Sequence, residues 1–224
     1  MSRTLFIHIP RTAGTSIQSS GIAASTRNIG LKADIQKQMS MDPRGPHTIG
    51  NSPSNRLQKH IPYNYLSREY LNRFDRLFSV VRNPWARVVS FYNYGNMMAE
   101  VNTFKDTWYH QNALSFDHFL NKMDEFIMTP SYYWNHPYNQ WAMQMDWINL
   151  NKVDVLRYEN LSSDLNLYFN KSINLPFVNQ SPSVDYKSYF NEKQKQKIAD
   201  WFKVDIEHWG FDFETGATKN YWVS

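Results

Sequence analysis

The sequence predicts an α/β fold in which a central, mainly parallel sheet is flanked by helices. Three short apolar runs rich in β-branched or aromatic residues, at 5–9, 76–81 and 153–156, are typical of buried strands. Each is followed by a segment with helical features, and strands that alternate with helices form parallel sheets. A length of 224 residues suits one such domain and is short for two.

The first predicted strand leads into a turn with the features of an anion site. Pro10 removes a backbone donor and should end the strand. A helix is expected from about Thr15, with Ser or Thr as its N-cap, and residues 16–25 continue it. Backbone amides converge at such a turn, and the helix dipole favours negative charge. Arg11 adds a full positive charge, and hydroxyl groups add further donors.

Residues 8–16, H-I-P-R-T-A-G-T-S, do not fit the nucleotide-binding pattern G-x-x-x-x-G-K-[ST], because Ile9 and Thr15 stand where glycine and lysine belong. The stretch resembles the 5′-phosphosulfate loop of the carbohydrate-type sulfotransferases, H-I-P-K-T-A-G-T-S, with arginine in place of lysine. The resemblance implies a P-loop-like three-layer fold and the donor 3′-phosphoadenosine 5′-phosphosulfate (PAPS). It also implies that the donor's 5′-phosphate is held by Arg11, Thr12, Ala13, Gly14, Thr15 and Ser16, with Arg11 stabilising the leaving group.

Residues 27–55 show little periodicity and many Gly, Pro, Ser and Asn, which predicts a long irregular stretch. A short helix is expected over about 67–74, with Ser67 as its N-cap.

A second strand–turn–helix unit begins with the strand at 76–81. Asn83 is expected to cap the following helix, with Pro84 in its first turn. Since ligands of open α/β sheets lie outside the carboxyl ends of strands, both units can address one ligand.

Residues 82–92 resemble the 3′-phosphate motif of the sulfotransferases, R-N-P-[WY]-x-R-x-x-S-x-[YF], with Ala86 at a position that is commonly acidic. The resemblance implies that Arg82 and Ser90 reach the 3′-phosphate of the donor. Trp85 and Arg87 are expected to serve packing and ion pairing.

Residues 93–138 are rich in Asn, Met and aromatic side chains, with a helix expected at 115–123 behind Ser115. This insert-like part of a single domain spanning 1–224 is a candidate acceptor region. An aromatic subdomain that serves only the core fits as well.

The C-terminal part completes the predicted domain. Residues 140–147 suggest a short helix or a strand edge. Residues 157–161, R-Y-E-N-L, resemble the family's R-[YF]-E-[DN]-L segment, in which Glu159 is expected to hold loops, with a catalytic role as the alternative. Helices are expected at 162–170 and 191–209, and residues 179–183 resemble a family loop that lies over the donor.

The acceptor hydroxyl requires a base, and histidine is the usual side chain near neutral pH. His60 is the first candidate, because Lys59-His60 matches a Lys-His pair of bacterial family members, and His47 is the second. His8 lies in a predicted strand and is expected to be packed. The remaining histidines are expected on the surface or in the insert: His110, His118, His136 and His208.

Composition narrows the function further. The net charge of +4 without a block of consecutive basic residues suits polyanionic small ligands better than nucleic acid. The absence of cysteine excludes disulfides and thiolate metal sites, and no metal-ligand spacing is visible. No apolar stretch approaches membrane-spanning length, so we expect a cytoplasmic protein of bacterial or phage type.

Two other functions stay open at this point. A nucleotide kinase of the P-loop type would use similar strand–loop–helix units. A non-catalytic nucleotide- or glycan-binding module on the same fold is favoured by Arg11 in place of lysine. The sequence does not reveal the acceptor, the hydroxyl that is sulfated or the oligomeric state.

Overall fold

The computed structural model of the protein describes residues 3–25, 60–100, 115–128, 143–176 and 185–215. In these residues the strands form one four-stranded, fully parallel sheet in the order β2-β1-β3-β4. The strands are β1 (Thr4–Ile7), β2 (Ala24–Ser25), β3 (Arg76–Val81) and β4 (Asp154–Arg157). The predicted parallel sheet is confirmed, and β1 and β3, the strands that precede the two arginine-bearing turns, are direct neighbours.

The described helices follow the strands as the α/β pattern requires. They are α1 (Gly14–Ser20), α2 (Arg68–Leu71), α3 (Pro84–Glu100), α4 (Phe116–Met128), α5 (Leu161–Phe169), α6 (Glu192–Trp201) and α7 (Lys203–Trp209). Short 3₁₀ turns occupy Tyr63–Tyr65, Gln144–Trp147, Tyr158–Asn160 and Tyr186–Tyr189.

Alternating side chains of the sheet belong to two apolar clusters, one on each face of the sheet. Leu5 and Ile7 of β1 pack with buried residues of α3, α4, α6 and α7, whereas Phe6 packs with buried residues of α1 and α5. Because successive side chains of a strand point to opposite faces, this division produces three layers. The P-loop-like three-layer fold is therefore confirmed.

The N-cap residues that the sequence suggested predicted several helix starts correctly. The side chains of Ser67, Ser115 and Asn83 accept hydrogen bonds from amides of α2, α4 and α3 respectively. Asn191 and Gln194 form a capping box at the start of α6.

Several helix predictions were wrong in their bounds: α2 ends at Leu71 rather than near residue 74, and α4 continues to Met128 rather than to 123. The predicted helix at 16–25 ends at Ser20, because Gly21 adopts a left-handed conformation (φ 64°) and the chain then forms β2. The predicted helix at 191–209 is interrupted at Phe202, which is buried and separates α6 from α7.

His47, residues 179–183 and most of the 93–138 region lie outside the described residues, so the predictions made for them stay predictions. The same holds for the extent of the domain over 1–224. None of the helices in the described ranges combines the length and the apolar character that crossing a membrane requires.

Candidate active site

The turn after β1 has an unusual backbone. Arg11 and Ala13 both have φ of 67°, in the left-handed region that L-residues rarely adopt. This conformation costs about 1–2 kcal/mol per residue. Ala13 is the N-cap of α1 and makes no side-chain cap, so the expected Ser or Thr cap is wrong. A left-handed residue followed by a helical one turns successive amide groups toward one concave side, a geometry that binds anions. Such strain persists where the surrounding structure enforces it, often at functional sites.

The hydroxyl group of Thr12 stabilises this turn from within. Thr12 is buried, and its Oγ1 donates to the carbonyl oxygen of Ile9 over 2.8 Å. With the hydroxyl group in this hydrogen bond, the backbone amide of Thr12 is the group that we expect to contact an anion.

Gly14 is required by the residue that lies beneath the turn. A Cβ atom built on Gly14 would stand 1.7 Å from Nε2 of His8. The His8 ring is 3% exposed and stacks on Phe6 with ring centroids 5.3 Å apart. The predicted packed role of His8 is confirmed, and its ring sets how closely α1 can approach the sheet.

The side chain of Arg11 joins the first turn to the second motif. Its Nε donates to Oγ of Ser90 over 3.1 Å, and its Cζ lies 4.3 Å from the ring centroid of Tyr94. Ser90 and Tyr94 are one turn apart on α3, so they lie on the same face of that helix. The structure thus brings together Arg11 and Ser90, which are 79 residues apart in the chain.

Arg82 approaches the same turn from β3. Its Nη1 donates to the carbonyl oxygen of Arg11 over 3.3 Å, and its Cζ lies 4.0 Å from the ring centroid of Tyr158. Burial lowers the pKa of Arg82, an effect that Tyr158 and Glu159 oppose. The Nε of Arg82 is buried and makes no hydrogen bond with any described residue. A buried guanidinium nitrogen of this kind suits an anionic ligand.

The start of α3 is fixed by a carboxylate from the β4 end. The Glu159 Oε1 accepts a hydrogen bond from the amide of Asn83 over 2.7 Å, and the Asn83 side chain donates to the carbonyl oxygen of Asp212. Burial raises the pKa of Glu159, against hydrogen bonds and the positive charge of Arg82. The contacts favour the loop-holding role that we expected for Glu159, through a backbone amide.

A further set of buried groups supports Arg82 from behind, and sequence reasoning missed it. Gln144 exchanges two hydrogen bonds with the backbone of Arg82, at 2.8 and 2.9 Å. Asp205 of α7, with 0% exposure, accepts the amides of Gln144 and Met145 over 2.7 and 3.0 Å. No local pattern distinguishes Asp205 from the other acidic residues of the C-terminal segment.

Arg87 completes this buried set. Its Nε donates to the carbonyl oxygen of Pro10 over 3.1 Å, directly before Arg11. Burial lowers the pKa of Arg87 to about 10, and the nearby Asp205 carboxylate opposes that shift. Burial also raises the pKa of Asp205 to about 6. Arg87 is therefore a supporting residue of the first turn, as the packing interpretation of its motif implied.

His60 lies against the base of the first turn. Its Nδ1 is 3.1 Å from the carbonyl oxygen of His8, and the two imidazole rings are 4.1 Å apart. Because a carbonyl oxygen can only accept, Nδ1 carries the proton and the lone pair of the neutral ring is on Nε2. His60 thus has the tautomer that a general base at Nε2 requires.

Metal ligation has no candidate in the described part of the chain, where no group of three or more His, Asp or Glu side chains is arranged around a common point.

Two neighbouring strand–turn–helix units carry arginines that converge at the carboxyl edge of a parallel sheet, an arrangement that is typical of α/β proteins with anionic ligands. The family model described as "Sulfotransferase domain" matches residues 14–174, well over half of the chain, and the protein belongs to that family. This confirms the sulfotransferase prediction and supports sulfuryl transfer as the general activity. A search among curated proteins finds no match. The family match begins after Arg11 and ends before Asp205.

Proposed function

We propose that the protein transfers a sulfuryl group from PAPS to a hydroxyl group of a carbohydrate. The observation that carries the proposal is the contact of Arg11, in the turn after β1, with both Arg82, which follows the adjacent parallel strand β3, and Ser90 of α3. The family in general uses PAPS, which has two separated phosphate groups, and two neighbouring cationic turns suit such a ligand.

On the 5′ side we assign the donor to the turn 11–16: Arg11, Thr12, Ala13, Gly14, Thr15 and Ser16. Sulfuryl transfer resembles phosphoryl transfer, in which the protein mainly positions groups and stabilises charge. Negative charge grows on the 5′-phosphate as the sulfur–oxygen bond breaks. Arg11 stabilises this charge, so its removal should lower turnover more than donor affinity.

On the 3′ side we assign the phosphate to Arg82 and Ser90. The buried Nε of Arg82 supports this assignment, because it provides a charged donor without a protein acceptor among the described residues. Ser90 lies within hydrogen-bond distance of Arg11 and can therefore link the two phosphate sites.

We assign the base to His60. Its Nδ1 donates to the carbonyl oxygen of His8 and holds the ring, so that Nε2 can take the proton of the attacking hydroxyl group.

The carbohydrate acceptor is supported by the resemblance of residues 8–16 to the loop of the carbohydrate-type enzymes. We further propose a cytoplasmic, metal-independent enzyme of bacterial or phage type, formed by one domain over 1–224; the Lys59-His60 pair, which resembles that of bacterial family members, supports the bacterial origin. Region 93–138 is the part that we assign to the acceptor.

The test is transfer of radiolabelled sulfate from PAPS to a panel of glycans, with and without EDTA. We expect transfer that EDTA leaves unchanged. Nucleotide binding without transfer to any glycan would support the non-catalytic module instead. Magnesium-dependent transfer of the γ-phosphate of ATP would support the kinase.

A binding experiment tests the 3′ assignment separately. Wild-type protein should bind adenosine 3′,5′-bisphosphate more tightly than adenosine 5′-monophosphate in calorimetry. Arg82→Ala should reduce that preference by about 10- to 100-fold, since a hydrogen bond to a charged group contributes about 1.5–3 kcal/mol. Arg73→Ala, an exposed arginine in the turn between α2 and β3, is the matched control and should keep the preference. An unchanged preference in Arg82→Ala contradicts the assignment.

A further inference from the structure

Tyr94 makes a contact with Arg11 that neither sequence motif contains. The Arg11 Cζ lies 4.3 Å from the centre of the Tyr94 ring, while the Arg11 Nε donates to Ser90. The guanidinium group is thus held at one nitrogen by Ser90 and beside the aromatic ring by Tyr94. Both partners lie on one face of α3, so a single helix positions the head group.

The backbone of Arg11 is held as firmly as its side chain. Its φ of 67° is enforced within the turn, and its carbonyl oxygen accepts a hydrogen bond from Arg82. An arginine loses about 2 kcal/mol of side-chain entropy when it is immobilised. Because these contacts already hold the side chain, less side-chain entropy is lost when an anion binds or when charge develops on it.

The second arginine shows the same arrangement. The Arg82 Cζ lies 4.0 Å from the ring centre of Tyr158, while its Nη1 donates to the turn. Arg11 and Arg82 therefore each have an aromatic ring beside the guanidinium group and donate a hydrogen bond within the site. The same kind of contact also occurs outside the site, where the Arg76 Cζ lies 3.8 Å from the ring centre of Tyr168, so the role of Tyr94 depends on the joint contact of Ser90 and Tyr94 with Arg11.

We infer that Tyr94 is a positioning residue for Arg11 and that the two form a matched pair. Guanidinium is planar and can meet an aromatic ring while its Nε donates to Ser90. The ammonium of lysine, which the resembling loop has at this position, is a compact point charge on a flexible stem and cannot make both contacts in the same way. Tyr94 therefore accounts for arginine at position 11. The inference rests on the proposed function, because its test measures the turnover of sulfuryl transfer.

The test is a double-mutant cycle on turnover with saturating PAPS. Tyr94→Leu should lower kcat by about 5- to 30-fold, which corresponds to a cation–π contribution of about 1–2 kcal/mol. The KM for PAPS should change less. Tyr94→Phe, which keeps the ring, should restore most of the loss. In the Arg11→Lys background, Tyr94→Leu should lower kcat by no more than about twofold, because the matched partner is gone.

Tyr92 provides the control on the same helix. Its ring packs on Phe116 and Phe119 in the core. Tyr92→Leu should lower the melting temperature and keep the kcat of the folded fraction. Measuring the folded fraction of every variant by circular dichroism separates loss of folding from loss of positioning.

Two outcomes overturn the inference while leaving the proposed function in place. One is wild-type turnover in folded Tyr94→Leu, and the other is an equal effect of Tyr94→Leu in the Arg11 and Lys backgrounds. A wild-type protein that neither transfers sulfate nor binds adenosine 3′,5′-bisphosphate overturns the proposed function, and the inference with it.

Discussion

Gly14→Ala tests whether the His8 ring sets the shape of the turn 11–16, to which we assign the donor's 5′-phosphate. The added Cβ would stand 1.7 Å from Nε2 of His8 and 2.1 Å from two ring carbons. Ordinary contacts begin near 3.4 Å, so the ring has to retreat by more than 1 Å. It is 3% exposed, with Phe6 and His60 beside it, and cannot do so without moving these neighbours.

Overpacking of this kind costs about 3 kcal/mol at the upper end of its usual range. Alanine recovers about 1 kcal/mol relative to glycine in a helix. The expected net loss is therefore about 2 kcal/mol, which lowers the melting temperature of a protein of this size by about 4–8 °C. The displaced turn should also weaken binding of adenosine 3′,5′-bisphosphate by about tenfold or more. A loss of about 1.4 kcal/mol in binding free energy corresponds to a tenfold loss of affinity.

Thermal unfolding and calorimetry on the same sample check both effects. Gly21→Ala is the matched control at the other end of α1, where an added Cβ would meet no atom of the described residues within 4 Å but φ is +64°. It should cost about 1 kcal/mol through backbone strain and leave nucleotide affinity unchanged. His8→Ala removes the clashing ring, so it should recover part of the loss in the Gly14→Ala background. Wild-type stability and affinity in Gly14→Ala would refute this reasoning.

Two further predictions concern ionisable groups. His60→Ala should lower turnover by about 100-fold or more with unchanged nucleotide affinity, and unchanged turnover of the folded fraction would contradict its role as the base. The pKa of Asp205 is about 6 in the folded state and 3.8 ordinarily, so the folded state binds the proton more tightly than the unfolded state does. The free energy of unfolding should therefore fall as pH rises from about 4 to 6. Between pH 4 and 6 the free energy of unfolding should fall by on the order of 3 kcal/mol more in the wild type than in Asp205→Asn. Equal pH profiles of the two proteins in denaturant unfolding would contradict this.

The parts that sequence reasoning predicted well depend on local patterns. The strand Arg76–Val81 and the cap at Asn83 follow from a short apolar run and from a side chain that accepts nearby amides. The expected N-cap of α1 failed because Ala13 makes the turn with its backbone alone, in a conformation that no alanine pattern signals. Local rules assign side chains to ordinary caps, and this turn is held by its surroundings instead.

That Arg11 and Ser90 lie near each other could be expected from the two motifs, because both strand–turn–helix units were expected to address one ligand at the carboxyl edge of a parallel sheet. The close packing of His8 against Gly14 could not, since it depends on the depth at which α1 lies on the sheet. Tyr94 was also missed. It lies two residues beyond the end of the resembling motif, and nothing in residue type alone indicates that its ring faces Arg11.

The C-terminal helix α7 contributes to the candidate site although it lies beyond the family match. The carboxylate of Asp205 accepts two amides of the 143–147 turn, and Gln144 of that turn holds both backbone groups of Arg82. The interruption at Phe202 starts the helix that carries Asp205. A continuous helix over 191–209, as the sequence suggested, would direct this carboxylate elsewhere. The position of the second arginine therefore depends on a break in a helix more than 100 residues further along the chain.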